Sequence, residues 1–239
     1  LVDVARGRTI PVWGALSGIA GGVAVWWFYL ALAGGPMAVV SPVTAVLVAG
    51  VPVLIGLAVG ERPSVLAYVG IVAALVAVVL VSRESPDEAA GEVAGGRVLR
   101  FTPRIALLTV ASGVAFAATF VCLDRAGEDD TGLWPLLASR LAATALVWAV
   151  ALSTGAFSAP RGSVLHLAAG IAVLDVVANA ALLFAFQDGL LSLTSVIASL
   201  YPAATVLLEM VMLGERVGTV QKVGMVVALG AVALIAGTG

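Results

Sequence analysis

The chain has 239 residues, of which 62% are hydrophobic and only 11% charged, and its mean hydropathy is +1.15. Soluble domains sit near 45–50% apolar and about 25% charged, so a soluble globular fold is excluded and the bilayer is the solvent. A formal net charge of −2 with scattered arginines is too weak to imply nucleic acid, and none is expected as a partner. Crossing the hydrocarbon takes about 20 apolar residues, and eight such runs follow one another.

Asp3, Arg6 and Arg8 form a polar lead-in, and the first span runs from Ile10 to Leu32. Its Gly14, Gly18 and Gly22 recur every four residues, a spacing that lets a neighbouring helix approach backbone to backbone. Trp26, Trp27, Phe28 and Tyr29 end the span. Aromatics at headgroup depth form interfacial belts, but four in a row point all round a helix, so Trp26 and Tyr29 also stand as ligand contacts.

The second span, Val39 to Val59, carries Pro42 and Pro52. Proline removes a donor and clashes with the preceding turn, so Pro52 is expected to bend or break this helix, and Pro202 the seventh span. Carbonyls freed by a break need protein or water around them, which places a broken helix beside a polar path rather than lipid. The third span is Ser64 to Ser82. Arg83 to Arg104 is the long polar segment and reads as an exposed linker.

The fourth span is Ile105 to Leu123 and the fifth Gly132 to Ser153, with Arg140 inside it. The sixth, Val164 to Gln187, has Asp175 at its middle and Asn179 one turn on. The seventh, Leu190 to Leu213, holds Ser195, Ser199, Tyr201, Pro202 and Glu209; the eighth is Gly218 to Ala236.

Ala38 to Ser82 recurs as Ser192 to Ala236 at one constant offset. Gly60-Glu61-Arg62 falls on Gly214-Glu215-Arg216, Ser41 on Ser195, Gly70 on Gly224 and Ala74 on Ala228. The match extends back to Gly14 and Gly18, which fall on Ala168 and Ala172. First, second and third spans thus align with sixth, seventh and eighth, while the fourth and fifth have no counterparts. The repeating unit is five helices, and the first unit, residues 1–82, is expected to lack two at its beginning. The second unit is 105–239, with 83–104 between them. An odd unit reverses its direction in the membrane on repetition, so the fold expected is all-α, polytopic, with two inverted repeats.

The duplicated Gly-Glu-Arg turn, with Ser195-Val196-Ile197-Ala198-Ser199-Leu200-Tyr201-Pro202 leading into its second copy, resembles the EamA domains of the drug/metabolite transporter superfamily. That resemblance implies a ten-helix secondary carrier in a plasma or inner membrane, and the preference for Arg over Lys points to a GC-rich bacterial source. It implies a small organic solute (metabolite, amino acid or drug) moved by alternating access without cofactor. Other readings on the same fold are a non-transporting receptor or assembly subunit, and a lipid-intermediate flippase. Monomer and homodimer both stay open, as does a coupling proton.

Ionisable groups within hydrocarbon are functional suspects, and Arg140, Asp175 and Glu209 qualify. Asp175, with Asn179 on its face, is either a cargo or proton site or the partner of Arg140 in a buried ion pair. Ser195, Ser199 and Tyr201 can contact cargo or satisfy freed carbonyls. Glu61 with Arg62, and Glu215 with Arg216, read as structural turns at helix junctions. Cys122 and His166 each stand alone, without a second metal ligand at suitable spacing, and no enzymatic motif is present.

Overall fold

A computed structural model describes residues 2–82, 102–127, 132–155, 161–208, 210–211 and 218–237, the side chains of residues 2–10 and 38 excepted. The proposed linker 83–104 falls almost wholly outside these residues, and so do Glu209, Gly214, Glu215 and Arg216.

Among the described residues nine helices follow in order: α1 (Val2–Gly34), α2 (Met37–Val59), α3 (Val65–Val81), α4 (Pro103–Ala126), α5 (Trp134–Ser153), α6 (Ser163–Asp188), α7 (Leu191–Ala198), α8 (Tyr201–Leu208) and α9 (Thr219–Ala236). The eight expected spans are all present, α7 and α8 together making the seventh. Seven have the length and hydropathy to cross a membrane, and the 17-residue α3 is a shorter apolar helix. This is a polytopic α-helical membrane protein. The polar lead-in is itself helical, since α1 starts at Val2.

Local chemistry sets the ends of these helices. α2 stops at Gly60, whose φ of 115° is left-handed and available to glycine at little cost; the amides of Gly60 and Glu61 both close back on the Gly56 carbonyl. α3 starts at Ser64, whose Oγ accepts from the Ala67 amide at 3.2 Å. Pro103 opens α4 and Pro135 lies in the first turn of α5, where a missing N–H leaves no bond unmade.

Contacts divide the chain into two compact units, one comprising the stretch to Gly22 with Ala118–Gly189, the other Val23–Ala117 with Leu190–Gly239. In the first unit, α1 lies along α5 in parallel. A Cβ on Gly14 would meet the Pro135 carbonyl, one on Gly18 the Ser139 carbonyl, and one on Gly22 the Leu146 side chain. The glycine spacing therefore does what the sequence predicts, and Ser17 Oγ adds a bond to the Thr119 carbonyl at 3.0 Å. Phe120 packs on Phe186 with ring centroids 5.9 Å apart. The rest of α6, residues 163–178, is exposed.

In the second unit, α3 and α9 form the main helix pair and α2 lies against α7. Ile71, Ala74, Ala77 and Val78 of α3 share a core with Ala228, Ala231 and Ile235 of α9. Small residues set the approach. A Cβ on Gly70 would meet Ile235 and Leu234, and a Cβ on Gly224 would meet Val81 and Leu80. The two helices are thus antiparallel. The repeat offset carries Gly70 to Gly224, Leu80 to Leu234 and Val81 to Ile235, so each set of contacts is the image of the other. Matching helices pointing in opposite senses, with exchanged contacts, are what an inverted repeat requires.

The expected proline breaks need correction. α2 runs as one helix through Pro42 and Pro52, so the first copy is not divided there. Pro52 is itself fully buried, and Val48, Ala49 and Val53 around it are buried too; packing on both sides of the single lost hydrogen bond keeps the helix continuous. The second copy is divided, but one turn before Pro202, which sits in the first turn of α8. Its ring excludes the carbonyl four residues back, at Ala198, so the interruption comes N-terminal to the proline.

Candidate functional site

In the first unit, α5 and α6 bring together the charges that sit well within the spans. Arg140 Nη1 lies 2.9 Å from Asp175 Oδ2, with the side chains 35% and 49% exposed. Asn179 Nδ2 donates to Asp175 Oδ1 at 3.1 Å and to the Asp175 carbonyl at 2.8 Å. The carboxylate is therefore held by a guanidinium on one oxygen and an amide on the other, but with both side chains partly exposed this is not the buried pair that the sequence offered as an alternative to a cargo or proton site. Arg140 Nε is buried without a hydrogen-bond partner among the described residues. His166 Nδ1 lies 3.1 Å from the Gly162 carbonyl at the start of α6, which gives it a local partner.

In the second unit the candidates separate. Trp26 and Tyr29 are exposed, Tyr29 edge-on to Phe28, whose ring in turn packs against Phe116. Tyr201 is 54% exposed at the start of α8. Ser195 and Ser199, by contrast, are fully buried. Ser199 Oγ donates to the Val196 carbonyl at 2.7 Å, so it serves the break between α7 and α8 and does not face open space. Ser195 Oγ, with Ser192 Oγ of α7 and Thr44 Oγ1 of α2, is buried with no hydrogen-bond partner among the described residues.

The main departure from expectation is Glu61. Sequence spacing assigns it to its own turn, but its carboxylate accepts from the Leu191 amide at 2.7 Å and the Ser192 amide at 3.0 Å. These are the first amides of α7, whose own cap, Leu190, offers no side-chain acceptor. Two orphan donors at the positive end of a helix are thus satisfied by one anion, each bond worth about 1.5–3 kcal/mol as a charged hydrogen bond. Room for the carboxylate comes from Gly56, where a Cβ would collide with Glu61 Oε2. Arg62 fixes the turn, donating to the Leu57 and Glu61 carbonyls at 3.1 and 2.8 Å. The available signal was a helix beginning at Leu190-Leu191 with no capping residue of its own, paired with an acid at a repeated turn.

Comparison with known proteins completes the picture. A solved crystal structure of a protein superposes with a TM-score of 0.66 at 21% identity, covering 98% of this chain and 80% of that one. At that identity the likeness shows a shared fold alone. A search of curated proteins by sequence finds no match. The profile of the EamA-like transporter family matches residues 103–237, which contain α4 to α9, the Arg140–Asp175 pair and the divided seventh span. That match covers more than half of the sequence, and the chain belongs to the EamA-like transporter family, whose members are membrane transporters rather than enzymes.

Proposed function

We propose that the protein is a secondary transporter carrying a small organic solute, a metabolite, amino acid or drug, across a bacterial cytoplasmic membrane by alternating access. The observation that carries this reading is the reciprocal α3–α9 contact, in which Gly70 meets Ile235 as Gly224 meets Val81. Halves related by inversion can exchange conformations, and that exchange opens a central path to one side and then the other. The division of the seventh span at Ser199 and Leu200 supports the same reading, because broken helices at membrane depth belong beside a polar path.

In this proposal Asp175 is the cargo or proton contact, held between turnovers by Arg140 and Asn179. Exposed Trp26, Tyr29 and Tyr201 are the aromatic candidates for the solute. On this reading residues 105–239 carry a five-helix unit, and residues 1–82 align with its last three helices. Counterparts of α4 and α5 would then cover the exposed part of α6, where Ala168 and Ala172 stand in the places of Gly14 and Gly18.

Reconstitution into liposomes tests the proposal, with a panel of amino acids and cationic drugs as solutes. Flux of a panel member that is abolished by Asp175→Asn, with membrane insertion unchanged, is the expected result. Undiminished flux in Asp175→Asn removes that residue from the site. Absence of flux for the whole panel turns the reading towards a receptor or assembly subunit.

A further inference from the structure

We infer that Glu61 is a positioning residue for transport: it pins the half-helix α7 to the turn between α2 and α3, so that α8 is the half that swings about Ser199 and Leu200. The purpose of this motion rests on the transport reading; the mechanics do not. Three observations converge. The Glu61 carboxylate holds the Leu191 and Ser192 amides at 2.7 and 3.0 Å, across a gap of more than a hundred residues. The anchor is itself rigid, since Gly56 admits the carboxylate and Arg62 clamps the turn to Leu57. Finally, the two half-helices are packed unequally. Leu191, Ser192, Thr194, Ser195 and Val196 of the eight-residue α7 are buried, whereas in α8 only Val206 is.

The junction between them is suited to bending. Ser199 closes on Ser195 and Leu200 on Ile197, the latter a tighter turn than the α-helix makes, and Ser199 Oγ occupies the Val196 carbonyl. Pro202 has no N–H to offer Ala198, so the ladder does not cross the junction at that point. A swing of α8 carries exposed Tyr201 with it and leaves the buried serines of α7 where they are.

Pulsed electron resonance tests this on the full chain in phosphatidylethanolamine–phosphatidylglycerol vesicles, with Cys122→Ala as background. Nitroxides at exposed Leu54 and Ile197 report α2 against α7; nitroxides at Leu66 and Leu207 report α3 against α8. The expected result is one narrow α2–α7 distance and a broad or double α3–α8 distribution. Glu61→Ala should widen the α2–α7 distribution at least twofold. Glu61→Asp, too short to reach, should resemble Ala, and Glu61→Gln, which is uncharged and sets an NH2 donor where the second carboxylate oxygen accepts, should lie between. An α3–α8 distribution as narrow as α2–α7 overturns the inference. It is also overturned if the Glu61 variants melt at lower temperature while the α2–α7 distance in the folded fraction stays sharp, because that is what a merely structural carboxylate does. None of these distances depends on finding a solute, so failure here is distinct from failure of the transport reading.

Discussion

A charge at the centre of a membrane helix costs about 2.5–3.5 kcal/mol on insertion scales. Arg140 and Asp175 lower that cost for each other across 2.9 Å, with Asn179 holding the second carboxylate oxygen. Removing one member leaves the other uncompensated, so Arg140→Met or Asp175→Asn alone should destabilise the protein by about 1–3 kcal/mol, less than a fully buried pair because both side chains are partly exposed. The double variant Arg140→Met with Asp175→Asn should recover most of that loss, as read by thermal melting in detergent. Losses that simply add would mean the pair contributes no coupling. This pair was half legible in the sequence: two opposite charges in neighbouring apolar spans have few other partners, but the same spacing also offered Asp175 as a cargo or proton site. Glu61 was not, since a helix N-terminus looks much the same in sequence whether its cap is local or arrives from a distant turn. The serines were half legible: hydroxyls before a proline announce a break, but which of them face inward depends on packing that spacing does not reveal.

At the scale of the helix, two contrasts can be measured. Gly18 lies against the Ser139 carbonyl, so Gly18→Leu should force α1 and α5 apart and cost about 3 kcal/mol or more, at the upper end for overpacking. Its counterpart Ala172 is exposed, and in this chain Ala172→Leu should change stability by no more than about 0.5 kcal/mol. In a polypeptide that carries counterparts of α4 and α5, the same substitution should become as damaging as Gly18→Leu; a neutral result there would remove the proposed five-helix unit. The second contrast concerns the divided span. Pro202→Ala restores an N–H facing the Ala198 carbonyl, and one regained backbone bond is worth about 1 kcal/mol. Hydrogen exchange at Leu200 and Ala203 should slow accordingly, by roughly fivefold. In α2, which already runs unbroken through Pro52, Pro52→Ala should leave exchange elsewhere in the helix nearly unchanged. Both helices carry prolines, and only the one followed into its neighbours' packing shows which proline divides its helix.

For the molecule as a whole, the arrangement of α3 and α9 makes a claim about the membrane that can be checked without a substrate. Antiparallel packing through Gly70 and Gly224 places the N-terminal ends of two matching helices on opposite membrane faces. Single cysteines introduced at Val65 and Thr219, both exposed at those ends, should therefore react with an impermeant maleimide from opposite sides in Cys122→Ala vesicles. Labelling of both from one side would break the inversion, and with it the carrier reading. The same experiment fixes orientation, on which two arguments conflict. A cytoplasmic location for both termini puts Arg62, Arg125 and Arg140 towards the inside and Val65 with them. Lys222 at the start of α9, the linker arginines and Arg161 would then lie outside, against the tendency of basic residues to stay in the cytoplasm. That tendency counts arginines and lysines in loops near span ends, and Arg140 lies within a span and in an ion pair, so its vote is weakened. Reaction of the Thr219 cysteine from outside, and of the Val65 cysteine only after permeabilisation, would show that the duplicated fold prevails over charge bias in setting the topology.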